Sequence, residues 1–395
     1  MTRVLELSAQ AAGGVRAHIR QVSQLLTKDG HQVLLAGPSN VISPAPGAVS
    51  GACLRTYQID IGARPSRADL KALRQLKQLA ATAQVIHAHG LRAGALAVLA
   101  AKRLPAAKRP RVVVTLHNLP VGSAPTRLVG KALHLVVVKG ADYVLTVSPD
   151  LLEKAKQLGL KAGEIAVVPA PARGCVDCSC MDHAAQPEIS QDSAQSSDAG
   201  SGVGTGSGVG AGSSYGASSA AGSGATPCVL TIARLAPQKG LDLLLEAAAL
   251  IKQRGIDFTW LVAGDGPLKA QLNQQIAAAA LPVKLLGRRE DIGALLSQAD
   301  VVVQTSYWEG QPLTLREAMQ AGRAIVATDV GGSAYTLAGC GQLVEPQAGP
   351  LADAVVAVIS DPKRRESLEA ASRAAVAKIP GETQLREQLD RVLKL

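Results

Sequence analysis

Aromatic residues are scarce in this chain of 395 residues, which contains one Phe, two Trp and five Tyr. Its hydrophobic cores must therefore be built mainly from Ala, Leu and Val. Long apolar runs are also lacking, and no stretch approaches the roughly 20 residues that a membrane-spanning helix needs. The opening segment MTRVLELSA is typical of a strand and not of a secretory signal. We therefore expect a cytoplasmic protein, with peripheral attachment to the inner face of a membrane as a further option.

The sequence also lacks the cysteine pattern of a disulfide-bonded protein and an acidic metal-binding triplet. The six cysteines do not form a disulfide framework for a chain of this length, so we expect reduced thiols. Cys175, Cys178 and Cys180, together with His183, have spacings similar to those of a zinc site. Structural zinc sites surround an ordered turn, whereas this group lies in a Ser/Gly/Ala-rich segment. We predict that the protein needs neither a metal nor another cofactor.

Positive charge is unevenly distributed along the chain. Residues 1–173 contain 23 Lys and Arg against 8 Asp and Glu, while residues 228–395 contain 18 of each kind. Within the first half, basic residues recur at helical spacing in residues 66–79. An anionic membrane surface is therefore a candidate partner of the N-terminal domain, and the acceptor could be a lipid or an acidic glycan. Nucleic acid is not expected, since no aromatic residues are interleaved with the basic ones.

Strand-like and helix-like segments alternate in both halves of the chain. Short β-branched runs of this kind predict parallel sheets that are covered on both faces. The predicted strands are 4–7, 33–36, 85–87, 112–116, 143–147, 165–168, 229–232, 259–263, 283–286, 301–304 and 324–327. The fold class is thus α/β, with two Rossmann-like doubly wound domains that face a cleft.

The domain boundaries follow from composition. Residues 174–227 are dominated by Gly, Ser and Ala, which predicts a disordered linker. The first domain then spans residues 1–173 and the second spans residues 228–381. A C-terminal helix of about residues 382–395 is expected to pack back on the first domain.

Two carboxylates eight positions apart, Glu309 and Glu317, flank a turn after the predicted strand at 301–304. Pro312 suits the first turn of a helix, whose leading backbone N–H groups would be unpaired and would suit a diphosphate. The two carboxylates could accept hydrogen bonds from sugar hydroxyls on either side of that phosphate. Taken alone, this spacing is a weak signal.

Eight motifs in a fixed order strengthen it. They are Gly13-Gly14-Val15, VIHAHG at 85–90, VVVTLHN at 112–118, ARLAPQKG at 233–240, VAGDGP at 262–267, LLGRREDI at 285–292, EGQPLTLREAMQAG at 309–322 and TDVGG at 328–332. In this order and spacing the chain resembles the retaining family-four glycosyltransferases of GT-B architecture. The resemblance covers nearly the whole chain except the linker. It implies transfer of a hexose-type sugar, with retention, from a nucleotide-diphosphate sugar to an acceptor hydroxyl.

The resemblance also implies a role for individual residues. Arg234 and Lys239 match the basic pair that neutralises the donor diphosphate, and cations there would stabilise the leaving group. Glu317 matches the ribose-binding carboxylate, and Glu309 matches the one that faces the donor sugar. The remaining matches are His117 beside the transferred sugar, Gly14 closing over the diphosphate, Gly287 and Arg288 at the nucleobase, and Gly310, Pro312 and Leu313 in the turn that meets sugar and phosphate.

Several other interpretations stay open at this stage. A sugar phosphorylase or sugar-phosphate synthase would share the architecture, and a non-catalytic nucleotide-sugar-binding subunit would share the donor site. A nicotinamide dehydrogenase is disfavoured, because no G-x-G-x-x-G opens the first helix. Asp265 is as consistent with a helix cap as with a ligand contact. For His87 and His89 we expect packing and hydrogen bonding, with only one of them facing the cleft.

Overall fold

The computed structural model describes residues 1–11, 13–43, 53–62, 66–118, 124–169 and 226–395. The predicted linker lies outside these residues except for Thr226 and Pro227, and so does the cysteine group at 175–180 with His183. Within the described ranges, no helix is both long enough and apolar enough to cross a membrane.

The N-terminal lobe, residues 1–169, contains a parallel sheet of seven strands in the order β3-β2-β1-β4-β5-β6-β7. Its strands are β1 (Arg3–Ser8), β2 (Gln32–Gly37), β3 (Leu54–Gln58), β4 (Val85–His89), β5 (Arg111–Leu116), β6 (Tyr143–Thr146) and β7 (Gly163–Ile165). Its helices are α1 (Gly13–Lys28), α2 (Ser39–Ile42), α3 (Ala68–Ala80), α4 (Leu91–Lys102), α5 (Ala124–Gly140) and α6 (Pro149–Gln157).

The C-terminal lobe, residues 226–381, contains a parallel sheet of six strands in the order β10-β9-β8-β11-β12-β13. Its strands are β8 (Cys228–Ile232), β9 (Thr259–Ala263), β10 (Val283–Gly287), β11 (Val301–Gln304), β12 (Ala324–Thr328) and β13 (Gln342–Val344). Its helices are α7 (Leu241–Gln253), α8 (Lys269–Ala278), α9 (Ile292–Gln298), α10 (Leu313–Gln320), α11 (Ser333–Leu337), α12 (Ala348–Ile359) and α13 (Pro362–Ala375), and α14 (Glu382–Leu393) ends the chain.

These two sheets confirm the predicted fold class of two Rossmann-like α/β domains. Sequence patterning missed two strands, β3 and β13. Strand β3 escaped prediction because four of its five residues are exposed and carry no apolar pattern. The strand predicted at 165–168 is instead Gly163–Ile165. The N–H of Val167 donates to the side chain of Gln388 rather than to a neighbouring strand.

Side chains alternate between the two faces of the N-terminal sheet, as the period of a strand requires. Leu5 of β1 packs with α3, α4 and α5, whereas Val4 packs on the opposite face with α1 and α14. Val85 of β4 and Val113 of β5 share the face of Val4. Positions two and four residues further along these strands therefore lie on the α1 side, nearer the carboxyl ends.

Helix α14 belongs spatially to the N-terminal lobe. Leu385, Leu389 and Val392 are buried in the cluster that also contains α1 and β1. Arg111 donates to the carbonyl of Val392 at 2.8 Å, and Arg391 forms an ion pair with Glu164 at 2.7 Å. The chain thus crosses back after the second sheet, which ties the end of the molecule to its first domain.

Candidate functional site

A partly buried ion pair lies at the carboxyl ends of the central strands of the C-terminal sheet. Lys239, in the loop after β8, donates to Glu309, in the loop after β11, at 2.6 Å. Ser306 donates to the same carboxylate oxygen of Glu309. The Lys239 and Glu309 side chains are only 24% and 9% exposed. Doubly wound sheets bind their ligands at this position, so the pair occupies the expected edge.

Glycines make room for the backbone around this pair. A Cβ on Gly240 would lie 2.0 Å from the carbonyl oxygen of Thr305, and Gly240 has a φ of +59°. A Cβ on Gly332 would lie 1.8 Å from the carbonyl oxygen of Gly310. The loop of Gly332 therefore supports the loop of Glu309 at a distance that only glycine allows, and the N–H of Gly332 donates to the carbonyl of Glu309 at 2.9 Å.

Helix α10 begins directly after this loop. Pro312 occupies the N-cap with φ −68° and ψ 115°, one position before the first turn where it was predicted. The helix therefore starts at Leu313, and no side chain caps it. The leading N–H groups of a helix lack intrahelical acceptors, so this start can bind an anion. Glu317 lies half-buried about one turn into the helix.

The same loop contacts the N-terminal lobe. A Cβ on Gly310 would lie 2.6 Å from the side chain of Val147 and 3.8 Å from the carbonyl oxygen of His117. A Cβ on Gly14 would lie 3.4 Å from the side chain of Leu313. These contacts bring four of the residues predicted to form the site, Gly14, His117, Gly310 and Leu313, to the junction of the two lobes.

Hydrogen bonds reinforce this junction. The indole of Trp308 donates to Asp150 at 2.9 Å, and the amide of Gln311 donates to the carbonyl of Ala166 at 2.7 Å. Gln311 also accepts a hydrogen bond from Arg316, which is buried. Burial lowers the pKa of Arg316 to about 10. This guanidinium remains charged near neutral pH, and one of its terminal nitrogens lacks a partner.

A second buried polar group lies at the carboxyl ends of β1, β4 and β5 in the N-terminal lobe. Both oxygens of Glu6 are used: one contacts Nδ1 of His87 at 3.0 Å and the other contacts Nε2 of His89 at 2.7 Å. His87 also contacts the hydroxyl of Thr115 at 2.8 Å, and His89 contacts Nε2 of His117 at 3.2 Å. The expectation of hydrogen bonding for His87 and His89 is confirmed. The expectation that only one of them faces the cleft was wrong, because it assumed that the two side chains alternate. Residues two apart in a strand lie on the same face of the sheet.

Burial sets the protonation of this group. It lowers the pKa of His18 to about 3 and that of His89 to about 4, with help from the charges of neighbouring histidines. It also holds the pKa of His117 well below its usual value. Burial alone would raise the pKa of Glu6, but charge and hydrogen bonds from His87 and His89 outweigh it and lower that pKa to about 2. At neutral pH the carboxylate is ionised, and His18, His89 and His117 are uncharged.

The ligand atoms of Glu6, His87 and His89 lie within 4.8 Å of one another, close enough to hold a metal ion. However, each of these atoms already has a hydrogen-bond partner within the group. Buried polar groups are stable when paired in this way, so the arrangement is satisfied by its own protons.

Other predicted residues lie further along the same sheet edge. Arg234 follows β8 with an exposed side chain. Gly287 ends β10, the edge strand that β9 and β8 separate from β11, and exposed Arg288 follows it. Asp265 accepts from the N–H of Gly266 at 2.7 Å and pairs with Lys269 at 3.1 Å. These contacts favour a role for Asp265 in the turn before α8, but the expectation of a helix cap was wrong, because the N-cap of α8 is Leu268 and no side chain caps that helix.

Sequence reasoning did not select Glu6 or His18 as site residues. His18 lies on α1 with its ring centroid 5.9 Å from that of His117. The available signal was Glu6 itself, a carboxylate within an otherwise apolar strand, because a buried charge needs a partner. The pairing is set by strand register, which places Glu6 opposite His87.

Two parallel Rossmann-like sheets, with polar groups at the carboxyl ends of both and a junction between them, define a GT-B architecture. Residues 13–171 match the family described as "Glycosyl transferase 4-like domain", and residues 226–361 match "Glycosyl transferases group 1". The chain therefore belongs to the family-four-like glycosyltransferases.

Relatives support this assignment. The phosphatidyl-myo-inositol mannosyltransferase of Mycobacterium tuberculosis is 29% identical, over 93% of this chain and 90% of its own length. Alpha-D-kanosaminyltransferase of Streptomyces kanamyceticus is 35% identical, over 36% of this chain, and the match spans only 39% of that relative. A solved structure of Anabaena Alr3699/HepE in complex with UDP-glucose covers 100% of both chains with a TM-score of 0.69 and 18% identity. At that identity the likeness concerns the fold.

Proposed function

We propose that this protein transfers a hexose-type sugar, with retention of configuration, from a nucleotide-diphosphate sugar to an acceptor hydroxyl. The observation that carries the proposal is the Lys239–Glu309 pair, 2.6 Å apart beside the uncapped start of α10. A cation, a helix N-terminus and a carboxylate in one place suit a ligand that joins a phosphate to a sugar.

The diphosphate would bind between Lys239, Arg234 and the first N–H groups of α10. As the nucleoside diphosphate departs, negative charge accumulates on its phosphates and positive character develops on the sugar. Groups that are already oriented toward the developing charge stabilise the transition state more than the ground state. Gly14, which reaches Leu313 from the other lobe, would close over the phosphates.

The carboxylates would bind hydroxyls. In this proposal Glu309 accepts from the donor sugar, Glu317 accepts from the ribose, and His117 contacts the sugar from the N-terminal lobe. Gly310, Pro312 and Leu313 would place backbone groups against sugar and phosphate, and Gly287 with Arg288 would contact the base. We propose that no metal or other cofactor is needed, since two cations and a helix start already supply positive charge.

For the acceptor we propose a membrane lipid or a cell-envelope glycan. The mycobacterial relative is named for a phosphatidyl-inositol acceptor, and the Anabaena structure for UDP-glucose. Helix α3 of this chain exposes the basic residues Lys71, Arg74 and Lys77, and its N-cap residue Arg67 is exposed as well. That surface would bind an anionic membrane at the inner leaflet, although such charge is also common on the solvated face of a packed helix.

The donor site can be tested by thermal shift. Nucleoside diphosphates and then their sugar conjugates should raise the unfolding midpoint, because a ligand that binds only the folded state stabilises it. Lys239→Ala should abolish the shift and lower turnover at least about tenfold. The matched control is Lys363→Ala, an exposed lysine on α13.

The possible outcomes separate the alternatives. Unchanged transfer by Lys239→Ala would contradict the site, and tight binding of NAD(H) without nucleoside diphosphates would contradict the function. Binding of the nucleotide sugar without transfer of its sugar to any lipid or glycan acceptor would favour a non-catalytic subunit. Transfer of a sugar from a glycoside to inorganic phosphate would favour a phosphorylase, and transfer from the nucleotide sugar to a sugar phosphate, with release of the nucleoside diphosphate, would favour a sugar-phosphate synthase. Loss of activity in EDTA would contradict the metal-free proposal, and NMR of the product anomer would test retention.

A further inference from the structure

A continuous chain of hydrogen-bonded side chains leads from the interior of the N-terminal lobe to His117. Glu6 of β1 contacts His89 of β4 at 2.7 Å, and His89 contacts His117 after β5 at 3.2 Å. All three side chains are buried. The strands β1, β4 and β5 are adjacent in the sheet, so their register holds the three residues in a row.

The ring geometry supports a true hydrogen bond between the two histidines. Their planes are inclined by only 22°, and their centroids are 5.5 Å apart. An N–H in the plane of one ring can therefore point at the lone pair of the other. The contact joins Nδ1 of His89 to Nε2 of His117.

The direction of this hydrogen bond follows from Glu6. An ionised carboxylate can only accept, so Nε2 of His89 must carry a proton. A neutral imidazole has one N–H, which leaves Nδ1 of His89 as an acceptor. Nε2 of His117 must then donate to it. The opposite tautomer of His117 would set two lone pairs against each other in a buried place.

We propose that Glu6 and His89 are positioning residues that hold His117 in its Nε2–H tautomer. Its Nδ1 then presents a lone pair that can accept a hydrogen bond from a hydroxyl of the bound sugar. The second half of this inference rests on the proposed function of His117, whereas the tautomer itself does not. In this arrangement His117 recognises a hydroxyl and does not supply a proton at Nδ1.

The surroundings preserve the uncharged ring. The titratable groups near His117 are His18 on α1, His87 and His89 on β4, and Glu6 on β1. The positive charge of Arg316 on α10 contributes to the lowered pKa of His18. Burial is the main cause that disfavours an added proton on His117, and protonation of a neighbouring histidine would disfavour it further. Both oxygens of Glu6 are hydrogen-bonded to His87 and His89. The ring therefore remains neutral over the working range of most enzymes.

Long-range proton–nitrogen NMR on protein labelled with ¹⁵N-histidine reads the tautomer directly. The signals of His117 are assigned by their loss in His117→Gln. Near pH 7.5 we expect a protonated Nε2 and an unprotonated Nδ1, in roughly tenfold or greater excess over the other tautomer. A dominant Nδ1–H form, a doubly protonated ring, or stoichiometric zinc bound to the purified protein would overturn the proposal.

Two variants then test the role of the chain. His89→Phe removes the acceptor for His117 and leaves Glu6 paired with His87, so the tautomer preference of His117 should fall at least severalfold. Thr115→Val is the matched control, because Thr115 contacts His87 in the same buried group but not His117. An equal change of the His117 tautomer in both variants, or no change in His89→Phe, would contradict the positioning role.

Kinetics separate this inference from the proposed function. His89→Phe should lower kcat/KM for the sugar nucleotide about tenfold while the affinity for the free nucleoside diphosphate stays unchanged, since the proposed site holds the diphosphate mainly through Lys239, Arg234 and the start of α10 and not through His117. An equal loss for both ligands would overturn the assignment of Nδ1 to a sugar hydroxyl. If the predicted tautomer is found in a protein that binds no nucleotide sugar, the proposed function fails and the tautomer assignment stands.

Discussion

The two lobes place different chemistry at equivalent positions. Both have parallel sheets with buried polar side chains at the carboxyl ends of the central strands. In the N-terminal lobe these are mainly uncharged histidines around one carboxylate, Glu6. In the C-terminal lobe they are charged, with Lys239 paired to Glu309 and Arg316 buried nearby in α10.

This difference suits the two ends of a nucleotide sugar. A diphosphate requires cations and helix N–H groups, whereas a neutral sugar requires directional hydrogen bonds. Charge elsewhere is distributed in the opposite sense, because the N-terminal half has a large excess of basic residues and the C-terminal half has none. Surface charge and site charge are therefore separate features of each lobe.

The largest effect that we expect is a loss of stability at acid pH, arising in the N-terminal lobe. The folded-state pKa values of His18 and His89, about 3 and about 4, lie below the ordinary 6.5. The unfolded chain therefore binds more protons, so stability is complete above about pH 6.5 and falls as the pH drops toward 4. By about pH 5 each of these histidines should cost on the order of 2 kcal/mol.

Denaturant titrations at several pH values would measure this loss. His18→Leu removes one of the titrating groups, so its stability should depend less steeply on pH than that of the unaltered protein. Identical pH dependence in both proteins would show that the buried histidines of the N-terminal lobe do not control acid sensitivity.

A smaller effect is expected from crowding in the C-terminal lobe. Gly332→Ala would place a Cβ 1.8 Å from the carbonyl oxygen of Gly310, so the Glu309 loop must shift. We expect a loss of about 2–3 kcal/mol in the free energy of unfolding, together with weaker donor binding. Calorimetry and thermal shift would measure the two effects.

Gly349→Ala is the matched control for this substitution. A Cβ at Gly349 meets no atom within 4 Å, and the residue lies in α12, where Ala is favoured over Gly. It should be neutral or slightly stabilising. Equal destabilisation by both substitutions would contradict the close support of one loop by the other.

The smallest effect concerns a single hydroxyl-binding carboxylate. Glu317→Gln keeps the shape of the side chain but removes its charge, and we expect at least a tenfold loss of turnover, or about 1.4 kcal/mol. Glu366→Gln, an exposed position on α13, serves as the control. Steady-state kinetics with a sugar nucleotide would compare the turnover of the two variants. Full activity of Glu317→Gln would remove Glu317 from the proposed site.

Much of the fold could be predicted from apolar runs, because a buried parallel strand needs β-branched and aliphatic residues on both faces. The strands at the centres of both sheets were found in this way. The edge strand β10 was also found, but β3 and β13 were missed. Four of the five residues of β3 are exposed, and β13 has only three residues, so neither gives a clear apolar pattern. Exact bounds also escaped prediction where a tertiary contact decided them, as Gln388 does beside Val167.

Local sequence patterns specify the alternation of strands and helices, the division into two domains, and the family motifs that include Lys239, Glu309 and Glu317. Local spacing carries these because each depends on neighbouring residues. The hydrogen-bonded row of Glu6, His89 and His117, and the support of the Glu309 loop by Gly332, depend instead on tertiary packing. These pairings join residues far apart in the chain, and strand order and register, which no local pattern specifies, bring them together.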